Sequence, residues 1–141
     1  MKSFPLALFA TLFFLPALAH AQLAKLTVVV SGIEPSTGTV EVSVFNSAET
    51  FMQKPLLQNS KKADGRSEAT FEFAGLLENN YAVVVVHDAN DNGVLDAGFF
   101  GFGGELYAYS NAASSWLGRP DFEAASIKVA KQDVEILIGL E

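Results

Sequence analysis

The feature that most limits what this chain can become is a two-residue rhythm of apolar and polar side chains. It returns along the sequence, and a helical period takes its place hardly anywhere. Leu26, Val28 and Val30 alternate with Thr27 and Val29, and Val40, Val42 and Val44 alternate with Thr39, Glu41 and Ser43. Phe71 and Phe73 follow the same rule against Thr70 and Glu72, Ile127 and Val129 against Ser126 and Lys128, and Val134, Ile136 and Ile138 against Glu135. Period two sends successive side chains to opposite faces of an extended strand, so each run has one face to bury and one to expose. Tyr81 to His87 differs in being apolar on both faces, the mark of a central strand covered on both sides.

Turn-forming residues separate the runs: Pro35-Ser36-Thr37-Gly38, Asp64-Gly65, Glu78-Asn79-Asn80 and Lys131-Gln132-Asp133. Six strands result, with a seventh expected near Leu106–Tyr109. This pattern predicts an all-β fold, a single immunoglobulin-like or transthyretin-like (prealbumin-like) β-sandwich of about seven strands. A small barrel is the competing architecture, but two-faced strands such as Ala82–Val86 suit packed sheets better. Of the two long connections, Asn46 to Arg66 is expected to hold one short helix, with Ser47 as N-cap and Ala48, Glu49, Phe51 and Met52 inside it. The other, Asp88 to Asp121, carries most of the unusual residues, and loops of that length are often functional.

The N-terminus predicts export. Lys2 is a positive n-region, Phe4–Leu18 an apolar h-region and Ala19-His20-Ala21 a small-x-small cleavage site. Pro5 and Pro16 interrupt the stretch, which argues against an anchor spanning the bilayer. The expectation is a signal peptide over residues 1–21, a mature domain over 22–141 with no transmembrane segment, and a periplasmic or extracellular location. The chain has no cysteine, which excludes a disulfide framework, thiol chemistry and a lipidated N-terminal cysteine. Nine basic residues face sixteen acidic ones. An acidic surface repels phosphate backbones, so nucleic acid is not an expected partner.

One segment has chemistry in its spacing. From Asp88, oxygen-bearing side chains recur at every second position: Asp88 first, Asn90 third, Asn92 fifth. Gly93 is sixth, where a sharp turn needs positive φ. Val94 offers a carbonyl at the seventh position, Leu95 an apolar anchor at the eighth, and Asp96 a carboxylate at the ninth. A curled loop with this spacing turns alternate side chains inward, and Ca²⁺ takes six to eight oxygens at about 2.3–2.6 Å. The twelfth residue is Phe99 rather than glutamate and no helices flank the loop, so it is not an EF-hand; Glu105, or Ser110 and Asn111, are candidates for the missing ligand. The plain alternative is an Asx-rich turn with no metal. With so few carboxylates a calcium site here should be weak, about 10⁻⁴–10⁻³ M as in extracellular modules, and structural.

No catalytic constellation accompanies the loop. His87 is the only histidine outside the N-terminal segment, which removes multi-histidine metal sites. On an alternating strand it shares a face with Val83 and Val85, while Asp88 points the other way, so a packed or edge histidine is expected rather than a catalytic one. Ser110, Ser114 and Ser115 lie outside any nucleophile elbow. Gly101-Phe102-Gly103-Gly104 does not join a strand to a helix and is no phosphate cradle. Phe99, Phe100, Phe102, Tyr107, Tyr109 and Trp116 crowd one region. They are read either as a small core sealing one end of the sandwich or as an exposed platform. Lys54, Lys61, Lys62 and Arg66 read as a solvated surface.

Tyr81-Ala82-Val83, then His87-Asp88-x-Asn90-x-Asn92-Gly93-x-Leu95-Asp96, then Gly101, Glu105, Ser110-Asn111 and a final apolar strand resemble a family of exported bacterial proteins, the domain of unknown function numbered twenty-one forty-one. The similarity runs from about Leu26 to Leu140. That family usually has Pro before the Glu and Gly-Phe before the Ser-Asn pair, where this chain has Gly104 and Ala108-Tyr109. The resemblance implies a periplasmic or secreted β-sandwich and no particular activity; at the level of fold alone it is similar to carboxypeptidase-regulatory and adhesin B-type modules. The expected function is therefore a non-enzymatic envelope module. Its Asp88–Asp96 loop would bind Ca²⁺ and order the Phe99–Trp116 loop for an envelope protein or a glycan. A carbohydrate-binding or adhesive module is one alternative, and a hydrolase using His87 with a nearby carboxylate is another.

Overall fold

The structure, a computed structural model, describes residues 22–93, 104–113 and 119–140. The alternating runs become strands: β1 (Ala24–Ser31), β2 (Thr39–Phe45), β3 (Leu57–Lys62), β4 (Glu68–Leu76), β5 (Asn79–Asp88), β6 (Leu106–Tyr109), β7 (Ser126–Val129) and β8 (Val134–Gly139). A 3₁₀ turn at Ser110–Ala112 follows β6, and a single helical turn, α1 (Phe122–Ala125), precedes β7. Asp121 caps α1 by accepting the Ala124 N–H at 2.8 Å. No helix among the described residues is long and apolar enough to cross a membrane. The expected signal segment, residues 1–21, lies outside the described residues.

The strands form two sheets, one in the order β4-β1-β8 and one in the order β3-β2-β5-β6, with β7 also paired to β5. β1 is antiparallel to β4 and parallel to β8. Between the sheets lies the main core: Leu26, Val28, Val30, Phe71 and Ile138 from one side, Val40, Val42, Val44, Val83, Val85 and Val129 from the other. β5 is the central strand foreseen by its two apolar faces. Its second half pairs with β6 and its first half with β7 on one flank, and β2 runs along the other. Ala82 and Val84, on its outer face, pack with Phe45, Tyr109 and Ala125 in a second cluster, joined by half-buried Phe51, Met52 and Phe122.

Two expectations for Asn46–Arg66 are corrected. Residues 47–52 are not a helix. The Gln53 and Lys54 N–H groups both donate to the Thr50 carbonyl, Ser47 Oγ and Thr50 Oγ1 bond at 3.1 Å, and Met52 has φ +60°. A tight turn wins because it lays Phe51 on the outer face of the sheet, where aromatic burial is strongly favourable. The Phe51 ring centroid lies 5.4 Å from that of Phe45 and 5.9 Å from that of Phe122. The same stretch then supplies β3, so the described residues contain eight strands rather than about seven. Gln58-Asn59-Ser60-Lys61-Lys62 shows no alternation because all five are exposed. Among the described residues its strand pairing is with β2 alone, from Val44 against Leu57 to Thr39 against Lys62.

Candidate functional site

β5 ends at Asp88 and β6 begins at Leu106, with His87 opposite Leu106 as their last paired rung. The first residues beyond that rung are Asp88 and Glu105, so the sheet itself brings two carboxylates to the root of the loop. Glu105 Oε1 accepts the Ala89 N–H at 3.1 Å, and its carboxyl group lies beside that of Asp88. Asp88 accepts two further main-chain bonds, from Asn92 N–H at 3.1 Å and Gly93 N–H at 2.8 Å. Asn90 Oδ1 accepts from the same Asn92 N–H at 2.9 Å. Gly93 has φ +73°, the left-handed conformation that its place in the sequence pattern requires. The Gly93 N–H, above all, holds the exposed Asp88 carboxyl below the ordinary aspartate range, and the Asn92 N–H adds to it, so the group is a carboxylate at neutral pH.

The even position of the loop is turned away. Asp91, at φ +59°, takes Thr39 Oγ1–H at 2.6 Å and Lys62 Nζ–H at 2.7 Å. The Lys62 hydrogen bond, then that of Thr39, lowers the Asp91 carboxyl from its usual value. The wall behind the loop is the start of β2. Thr37 Oγ1 bonds the Ala89 carbonyl at 3.4 Å, and Gly38 passes so close that a Cβ there would lie 2.1 Å from the Asp88 carbonyl oxygen. Sequence reasoning missed Thr37, Thr39 and Lys62, and took Gly38 only as a turn residue. Nothing local marks these contacts; they follow from the pairing of β2 with β3 and β5.

His87 sits where alternation places it. Its ring is 1% exposed on the core face of β5, and Nε2–H donates to the Thr37 carbonyl at 2.7 Å. Among the described residues Nδ1 has no hydrogen-bond partner. The ring therefore faces away from the Asp88–Glu105 pair. Ser110 and Asn111, considered as further loop ligands, are used elsewhere. Ser110 Oγ accepts the Val83 N–H at 2.8 Å and donates to the Ala125 carbonyl at 2.5 Å, while Asn111 Nδ2 donates to the Ala124 carbonyl at 3.0 Å. Ser110 thus staples α1 to the middle of β5, roughly 16 Å along the strand from Asp88 at about 3.3 Å per residue.

Val94 and Asp96, expected to complete the loop, lie outside the described residues. Among the described residues no three His, Cys, Asp or Glu side chains come together as a metal cluster. The donors present, on Asp88, Asn90, Asn92 and Glu105, are all hard oxygens, which suits a calcium-like cation and not a soft metal. Of the aromatic group, Tyr109 lies on the outer face of the five-stranded sheet rather than at an end of the sandwich, with its ring centroid 5.8 Å from that of 52%-exposed Tyr107. Phe99, Phe100, Phe102 and Trp116 lie outside the described residues.

Fold and site together define an all-β module, two sheets around one core, with an oxygen-rich loop at the end of its central strand. The chain belongs to a bacterial family described as "Uncharacterized protein conserved in bacteria (DUF2141)", whose model matches residues 28–137. No curated protein and no solved structure matches it.

Proposed function

We propose that this is an exported, non-enzymatic protein of the bacterial periplasm or extracellular space. In this reading it is an immunoglobulin-like or transthyretin-like sandwich whose Asp88–Asp96 loop binds Ca²⁺. Asp88, Asn90, Asn92, Asp96 and Glu105 ligate by side chain and Val94 by its carbonyl. The bound ion orders the Phe99–Trp116 loop for an envelope protein or a glycan. One observation carries this reading: Asp91, at the even position, is drawn outward by Thr39 and Lys62, while Asp88 and Asn90 bond back into the loop beside Glu105. That is the in-out alternation a calcium loop needs. The exposure of Tyr107 favours a glycan as the second choice of partner, since an aromatic face is what a sugar ring packs on.

The test is a thermal melt in millimolar calcium and again in chelator, for the protein and for Asp88→Ala. Ligand at about 100 times its Kd stabilises by roughly 2.7 kcal/mol. A weak site in millimolar calcium gives less, a rise of a few degrees. Asp88→Ala also removes the acceptor for two N–H groups and melts lower in either buffer, so the informative quantity is the difference between buffers. A calcium-specific rise that Asp88→Ala abolishes supports the site. Equal melting in both buffers reduces the segment to an Asx-rich turn and refutes the calcium reading.

A further inference from the structure

A sheet edge offers unpaired N–H and C=O groups to any strand that reaches it, and proteins normally obstruct their edges with lysine, proline, brevity or a covering side chain. This sandwich obstructs its edges unequally. β3 is polar and exposed and carries Lys61 and Lys62. β4 is covered by Lys61, whose ammonium donates to the Thr70 carbonyl and lies 5.1 Å from the centroid of the Phe71 ring. β6 and β7 are only four residues long. Among the described residues β8 shows none of these devices. Val134-Glu135-Ile136-Leu137-Ile138-Gly139 contains no lysine, arginine or proline, and among the described residues it pairs with β1 alone. Leu137, at 70%, is the most exposed of the described large hydrophobic side chains.

We infer that the edge of β8 left unpaired among the described residues pairs with β8 of a second copy of this chain, antiparallel about a two-fold axis at Leu137, joining two three-stranded sheets into one. A two-fold axis makes one edge its own complement, and the register centred on Leu137 suits every side chain in the strand. Leu137 meets the second copy's Leu137 on the outer face. Val29 stands beside Leu137 in β1, so an apolar row of Val29, Leu137, Leu137 and Val29 crosses the joint. Ile136 meets the second copy's Ile138 on the core side. Glu135 meets Gly139, so no like charges stand opposite, as they would if the axis passed through Glu135. Obstruction of the other edges ends assembly at two copies rather than a filament. A six-residue edge falls below the roughly 1,200 Å² of stable interfaces, so the dimer is weak and concentration-dependent. The formal charge of −7 sets two copies against each other, so added salt strengthens it.

Sedimentation velocity on the protein, purified as the cell makes it, tests this from micromolar to millimolar concentration. The expected result is a monomer that passes to a dimer with concentration and with salt. Leu137→Lys sets two ammonium groups at the axis and gives a monomer throughout, with its melting temperature unchanged because the position is exposed. The chain has no cysteine of its own. Mild oxidation of Leu137→Cys should therefore yield a covalent dimer, directly opposed Cα atoms lying about 4.5–5.5 Å apart, within the range a disulfide spans. Glu135→Cys places the two sulfurs on the order of 13 Å apart in this register and should not cross-link. A protein monomeric at every concentration overturns the inference. So does a dimer indifferent to Leu137→Lys, or cross-linking at position 135 as ready as at 137.

Discussion

Alanine at Gly38 should cost clearly more stability than alanine at Gly65, although the two glycines have nearly the same backbone, φ +75° and +76°. A left-handed conformation costs an L-residue about 1–2 kcal/mol, and both variants incur it. At Gly65 a Cβ meets nothing within 4 Å, so the cost stops there. At Gly38 the Cβ would stand 2.1 Å from the Asp88 carbonyl oxygen and 2.6 Å from Ala89 Cα, both main-chain atoms that no rotamer change can remove. Relief requires the rung between Thr39 and Asp88 to open. Overpacking of this kind adds roughly 1–3 kcal/mol, so Gly38→Ala should lose about 2–5 kcal/mol in all. Urea unfolding followed by circular dichroism measures both variants, and an unchanged m-value identifies the loss as stability rather than altered compactness. Because Asp88 opens the oxygen-rich loop, Gly38→Ala should also weaken any calcium-dependent rise in melting temperature, which Gly65→Ala should leave intact. Equal costs at the two positions would refute the close approach of β2 to the loop.

Two further variants separate the loop from its surroundings. Ser110→Ala leaves the Val83 N–H and the Ala125 carbonyl without their buried partner. It should cost about 1–3 kcal/mol in urea unfolding, while the calcium response stays as it was. A lost calcium response there would return Ser110 to the ligand set. Asp91 has its folded pKa lowered, so its stabilising contribution is complete above the unfolded value of about 3.9 and disappears as pH falls through the lower folded value. Asp91→Asn should therefore lower stability at neutral pH and flatten the acid limb of the stability–pH curve, as an acid titration of unfolding would measure.

Most of the sandwich was legible in the residue pattern. β1, β2, β4, β5, β7 and β8 announce themselves because each buries one face or both, and burial demands apolar residues at period two. The spacing of Asp88, Asn90, Asn92 and Gly93 was legible for a similar reason, since a curled backbone makes alternate side chains converge, and Gly93 does take positive φ. The same alternation put His87 on the core face. What the sequence could not reveal was decided by strand pairing. β3 is held by main-chain bonds that carry no side-chain signature, so an exposed polar edge strand looks like a loop. Phe51 and Met52 sit in a turn rather than a helix because a second apolar cluster, assembled from distant segments, draws them onto the sheet. The loop's surroundings are equally non-local: Thr39 reaches Asp91 across 52 positions, Lys62 across 29, and Glu105 reaches Ala89 across 16. Local periodicity determined which segments are strands and which atoms the loop offers. Only the tertiary structure decided what stands beside that loop and which edge stays open, because these depend on the order of strands in a sheet, which no single strand encodes.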